Sequence, residues 1–202
     1  MPPITRALII ANVVMFAVET QVGDAFILYL ALWPLGSASL LPAGLGFQPW
    51  QIITYSFLHG SLTHLFFNMF ALYMFGGELE RLFGSKLYLN LYFVSVIAAA
   101  ITQLVFSAVA GGEPSPTVGA SGGVFGLLLA YGMYFPDRRV MLLIPPIPMP
   151  ARVFVLLYGG LELYLGVTGT QAGVAHFAHL GGMLGAWLLI QHRRGRFPFR
   201  RR

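Results

Sequence analysis

Thr117-Val118-Gly119-Ala120-Ser121-Gly122-Gly123-Val124-Phe125-Gly126 opens an apolar stretch that continues as LLLAYGMYF and halts at Pro136-Asp137-Arg138-Arg139. From Ser121 to Phe135 the stretch is too short to cross a hydrocarbon core, which takes about 20 helical residues. A helix of this length has to begin inside the membrane. Irregular backbone at that depth is tolerated only where it is buried in protein or faces water. The segment 117–120 therefore implies a water-accessible cavity above Ser121, a hydroxyl at the sunken start of a helix.

The composition makes lipid the solvent. Apolar residues make up 57% of the 202 and charged residues 9%, against about 25% charged in a globular domain. So few charges cannot cover the surface of a soluble fold of this size. The absence of cysteine excludes a disulfide framework and a thiolate metal site. The net charge of +5 resembles a nucleic-acid signal, but half of the Lys and Arg residues lie between Arg193 and Arg202, directly after an apolar segment. A basic juxtamembrane tail fixes topology and touches anionic lipid, so no nucleic-acid partner is expected.

Working outward from the short helix, apolar runs predict an all-α, polytopic bundle of six spans, at about 7–20, 62–75, 87–110, 121–135, 153–167 and 174–191, with a tail at 192–202. Nothing repeats and no domain boundary is visible, so one membrane domain is expected over 1–202. The first run follows Arg6 without a small-residue cleavage site and reads as a retained helix. Residues 21–54 form a long connection with Trp33-Pro34, Pro42 and Pro49, and its apolar part (Phe26 to Leu32) predicts short interfacial helices. Arg6, Arg81, Lys86, Arg138, Arg139, Arg152 and the tail cluster fall on one side of this arrangement, and the opposite loops (21–54, 111–120, 168–173) hold no Lys or Arg. Both termini are thus expected in the cytoplasm, and the setting in a bacterial inner membrane.

Ionisable and amide side chains inside membrane helices are costly, which makes them functional candidates. Ser121 precedes Asp137 by 16 residues, His179 precedes Arg193 by 14, and His64 and Asn68 precede Glu80 by 16 and 12. At about 1.5 Å per residue these are heights of roughly 24, 21, 24 and 18 Å above the cytoplasmic charges, one common layer. A serine hydroxyl is a poor nucleophile until a neighbouring base takes its proton, and His179 is the candidate base. No Asp or Glu is near His179 in sequence, so the expectation is a Ser–His dyad, with Phe125 packing against the histidine. His64 and Asn68, spaced i, i+4 on one helix face, would join the Ser121 backbone N–H as donors to an oxyanion.

Simpler readings stand beside these. Ser121 also fits a helix N-cap, and His64 with Asn68 an interhelical polar clamp. Gly119, Gly122 and Gly126 form a small-residue packing face, matched by Gly182 and Ala186 in the last span. That packing and the catalytic reading are compatible, since close approach of the two helices would bring His179 to Ser121. His176 and His179 read as an i, i+3 metal pair that His59 or His64 could complete, but no His-Glu-x-x-His is present, and neither metal nor cofactor is expected. Glu162, in the middle of the fifth span, has no assigned role beyond an internal polar contact.

In this order and on these spans, the segments resemble the rhomboid family of intramembrane serine proteases over nearly the whole chain. His64 to Asn68 is similar to the family's His-x-x-x-Asn motif, Gly119-Ala120-Ser121-Gly122 to its Gly-x-Ser-Gly, and Ala178-His179-Leu180-Gly181-Gly182 to its Ala-His-x-x-Gly. The resemblance implies Ser121 as nucleophile and His179, with Gly182 three residues on, as base in preference to His176. It also implies His64 and Asn68 at the oxyanion, and Glu80-Arg81 as a structural acid–base pair. Trp50-Gln51 departs from the family's frequent Trp-Arg, and Phe125 stands where some members stack a tyrosine on the histidine.

The implied activity is cleavage of transmembrane protein substrates near the outer membrane face. The alternative is a proteolytically silent rhomboid-like module that binds membrane helices, although such modules typically lack the serine or the histidine. A transporter would want a charged pathway, of which Glu162 is the sole hint.

Overall fold

The computed structural model describes residues 1–37, 45–111, 115–141, 146–169 and 174–195. Pro42, Gly112, Pro145, residues 170–173 and the arginines from Arg196 onward lie outside the described residues. Helix α1 spans Pro3–Val22, longer than the apolar run alone suggests. Pro3 sits at its first position, where a missing N–H costs nothing. Gly23, with φ of 72°, turns the chain into α2, Asp24–Leu30. A short α3, Gln51–Thr54, closes the described part of the long first connection.

The second apolar run does not stop at Gly76-Gly77. Helix α4, Leu62–Ala71, passes through a π-helical turn at Leu72–Gly76 into α5, Gly77–Phe83. The glycines serve close approach and not termination: a Cβ on Gly76 would collide with the Tyr88 hydroxyl, and one on Gly77 would touch Pro2. Gly84, with φ of 74°, ends the run and leads into α6, Ser85–Ala110. Helix α7 is Ser121–Tyr134, α8 is Ala151–Thr168 and α9 is His176–Arg193. Between α7 and α8 the chain forms an unanticipated antiparallel pair, β1 Arg139–Met141 and β2 Pro148–Pro150. Pro148 and Pro150 are tolerated because a two-stranded ribbon has only edges, where a missing donor is harmless.

The architecture is an all-α bundle around α6. Tyr88, Tyr92, Val96, Ala99 and Ala100 of α6 are fully buried, which is unusual for a helix that ought to face lipid, because α7 and α9 pack along it. Small residues permit that packing. A Cβ on Gly182 would run into the carbonyl oxygen of Gly122, one on Gly126 would strike Ser95, and one on Gly185 would lie 2.5 Å from the Ala98 methyl. Ala186 is fully buried on the same face. With backbones this close, dispersion between helices replaces the hydrophobic drive that lipid cannot supply. Among the described residues three helices, α1, α6 and α8, are long and apolar enough by length and composition to cross a membrane, and α7 is a shorter apolar helix. Val109, Leu156 and Val167 stay outward and exposed, as lipid-facing side chains do.

Polar contacts tie the ends of the helices together. Glu80 is buried and accepts hydrogen bonds from the backbone N–H groups of Ile4 (2.9 Å) and Thr5 (2.7 Å) and from the hydroxyls of Thr5 and Ser85 (both 2.8 Å). Arg138 pairs with Glu78, Arg152 with Asp137 at 3.1 Å, and the Arg194 guanidinium lies 4.7 Å above the Tyr134 ring. The basic ends of α5, α7, α8 and α9 therefore gather at one end of the bundle.

The first connection holds the opposite end. Gln51 is fully buried, and its carboxamide oxygen accepts from the Trp33 and Gln48 N–H groups while its NH2 donates to the Tyr29 and Gly46 carbonyls. A neutral amide satisfied on both sides suits this buried position, so Gln51 needs no charge to be accommodated here. Leu32 and Thr117 exchange backbone hydrogen bonds of 3.0 and 2.9 Å, and Gly119 N–H donates to the Tyr55 carbonyl at 2.9 Å. The segment leading into Ser121 is thus pinned from two sides.

Candidate active site

Ala120, not Ser121, is the N-cap of α7, and no side chain caps it. The Ser121 hydroxyl lies instead 2.8 Å from His179 Nε2. The chain reaches Ser121 through Gly119, whose φ of 125° disfavours any side chain. A Cβ there would also lie 2.7 Å from His64 Cε1 and 2.8 Å from its Nε2. Glycine is needed twice over, for its conformation and for the space that lets the His64 ring rest on the backbone beside Ser121. Across the site, Phe125 lies parallel to His179, with ring centres 4.3 Å apart and planes 6° apart.

A cavity of about 890 Å³ opens over these groups, and His64, Asn68, Ser121, Phe125, Glu162 and His179 all line it. Asn68 and His179 are buried, His64 and Ser121 half-buried. The four residues that the depth estimate placed in one layer are thus on the wall of one cavity, drawn from α4, α7 and α9. Small residues around the hydroxyl leave it open to the cavity, a shape in which water and an extended peptide segment can both reach it.

Glu162 was the residue that sequence reasoning left without a role. Its Oε2 lies 2.7 Å from His176 Nδ1 and 2.9 Å from His179 Nδ1, and all three side chains are buried. The absence of an acid near His179 in sequence had suggested that none was near it in space. Helix α8 supplies one from 17 residues upstream. A usable signal existed in the position itself, because a carboxylate in the middle of an apolar span needs a partner. These three groups also offer metal-capable atoms within 4.8 Å of one another. His59, weighed as a third ligand, instead lies edge-on to His64 at 5.0 Å between ring centres. Its backbone N–H donates to Glu19 at 3.0 Å.

Comparison with known proteins places this site in a family. Residues 46–194 match the Rhomboid domain, which is most of the chain and includes every residue of the cluster. This chain belongs to the rhomboid family. It is 28% identical over 187 residues to the rhomboid protease GluP of Bacillus subtilis, covering 92% of this chain and 34% of that one. It is 33% identical over 142 residues to rhomboid protein 1, mitochondrial, of Saccharomyces cerevisiae, covering 66% and 39%. With the rhomboid protease GlpG of Yersinia pestis it shares 27% over 182 residues, covering 90% and 59%. The chain therefore spans less than two thirds of the length of these relatives.

Proposed function

We propose that this chain is an intramembrane serine endopeptidase that cuts transmembrane segments of membrane proteins near the outer membrane face. The observation that carries the reading is the 2.8 Å contact between Ser121 Oγ and His179 Nε2 on the wall of a cavity. Relatives named as rhomboid proteases add support.

Ser121 Oγ attacks the scissile carbonyl while His179 Nε2 takes the hydroxyl proton, then returns it to the leaving amine. The Ser121 backbone N–H, the His64 ring and the Asn68 amide donate to the oxyanion as it forms. Cavity water, activated by the same histidine, releases the acyl group. A substrate helix has to unwind first, because its carbonyls are otherwise bonded internally. Small or helix-weakening residues are accordingly preferred at the cut. Gly119, Gly122, Gly126, Gly182 and Ala186 serve the chemistry indirectly, by holding α7 and α9 at contact distance.

The chain forms one rhomboid membrane unit. It crosses six times, through α1, α4 with its π turn, α6, α7, α8 and α9. Both termini lie on the cytoplasmic side of a bacterial inner membrane. Purified protein is incubated with a tagged single-span test substrate beside Ser121→Ala and His179→Ala. Cleavage by the wild type alone is expected, whereas equal cleavage by Ser121→Ala would sink the reading. The silent helix-binding alternative requires that substrate be retained uncut by the wild type.

A further inference from the structure

We propose that Glu162 is a positioning residue for this reaction. Its carboxylate, shared between His179 and His176, turns His179 Nδ1–H toward α8 and leaves Nε2 free to accept the proton of Ser121. The inference rests on the serine–histidine reading above and extends it by one residue on a third helix.

The geometry carries it in three parts. His179 already has one face fixed by the parallel stack on Phe125. A stack sets the plane of an imidazole but not which nitrogen holds the proton. A carboxylate oxygen 2.9 Å from Nδ1 does set it, because only Nδ1–H can donate there. The N–H does not yet point straight at that oxygen, a looseness usual in unliganded sites that tighten around substrate.

The same oxygen is held from the other side. His176 Nδ1 lies 2.7 Å away, in line for a hydrogen bond. His176 thus anchors the carboxylate and His179 receives it, which gives the first histidine of His176-Phe177-Ala178-His179 a purpose distinct from the second.

The third part is location. Glu162 is the one acidic residue between Ala151 and Thr168, and its neighbours Leu161 and Leu163 face outward, each about half exposed. A carboxylate in such a helix is expensive unless it meets donors, and it is aimed at two imidazoles. When His179 takes the serine proton, the negative charge beside it stabilises the imidazolium that results, as the acid of a Ser-His-Asp arrangement does.

A metal at this cluster is the competing occupant. Donor atoms around a zinc ion at about 2.0–2.1 Å would stand roughly 3.3 Å apart, whereas 2.7 and 2.9 Å are hydrogen-bond spacings.

The test uses the 202-residue chain in detergent and the tagged single-span substrate, with kcat, KM and the thermal midpoint measured together. Titratable groups facing His179 are Glu162 from α8, His176 on α9 itself and His64 from α4, with the phenol of Tyr158 beyond Phe125. Glu162→Gln keeps the size and removes the charge. We expect kcat to fall about ten- to a hundredfold with KM little changed. Glu162→Asp, which also serves if the amide variant does not survive purification, should recover part of kcat with the thermal midpoint near that of the wild type. Wild-type kcat in the variants, or a kcat no better in Glu162→Asp than in Glu162→Gln, would overturn the proposal, and so would loss of wild-type activity on chelation with EDTA. A wild type that fails to cleave, or a Ser121→Ala variant that cleaves equally, would instead defeat the underlying protease reading.

Discussion

Gly182→Ala separates helix packing from chemistry at a single methyl group. The added Cβ would lie 2.8 Å from the Gly122 carbonyl carbon and closer still to its oxygen. Both are backbone atoms and cannot rotate aside. Restoring an ordinary contact moves that carbon by about 0.6 Å, and relief of the oxygen widens the separation of α7 and α9 by roughly 1 Å in all. His179 is one turn before Gly182 on α9, and Ser121 is next to Gly122 on α7. The same shift therefore draws Nε2 from 2.8 Å to nearly 4 Å from the hydroxyl, beyond hydrogen-bond reach. Misplacement by 1 Å can cost about 100-fold in rate, and overpacking of this size costs about 1–3 kcal/mol in stability. The expected variant is folded, a few degrees less heat-stable, and cleaves the single-span substrate about 100-fold more slowly. Cleavage at the wild-type rate with an unchanged thermal midpoint would show that the two helices are not held at contact distance here.

Three further outcomes follow from the same geometry. His176→Ala should keep substantial activity, because His176 touches the carboxylate and not Ser121; total loss in the cleavage assay would make His176 the base in place of His179. Phe125→Ala removes the ring stacked on His179 and leaves a partly buried void, which should cost about 2–4 kcal/mol in detergent unfolding and about tenfold in kcat; Phe125→Tyr should retain most of both. Glu80→Gln exchanges an acceptor of four hydrogen bonds for an amide that can satisfy fewer of them. It should lower stability by about 2–3 kcal/mol, while turnover measured well below the unfolding temperature stays near that of the wild type.

Much of this was legible in the residues because membrane helices obey a strict rise per residue. Counting from Asp137, Glu80 and Arg193 put Ser121, His64, Asn68 and His179 at one height before any coordinates, and all four now line one cavity. Glu162 escaped because the search for an acid ran along the chain near His179. The same count of height, applied to the opposite-running helix α8, would have tested it. The second span, expected to stop near residue 75, continues instead through Gly76-Gly77. Glycine pairs end helices in water, but against Tyr88 and Pro2 they allow close packing, and the helix runs on to Phe83. The β1–β2 pair had no readable signal, since prolines at 148 and 150 argue against a strand unless it lies at an edge.

The hydrogen bond between His179 and Ser121 joins residues 58 positions apart, and that separation has a meaning in time. The loop before Ser121 is pinned by Leu32 and Tyr55, both synthesised earlier, so the proposed nucleophile can take its place as soon as α7 is inserted. Its proton acceptor comes only with α9. At about 5–20 residues per second, a nascent chain passes roughly 3–12 s with a set serine and no base. During that interval the proposed serine–histidine pair is incomplete, and a neighbouring membrane helix would meet a hydroxyl with no base beside it. On the proposed reading, the late arrival of α9 acts as a safety catch built into the order of synthesis.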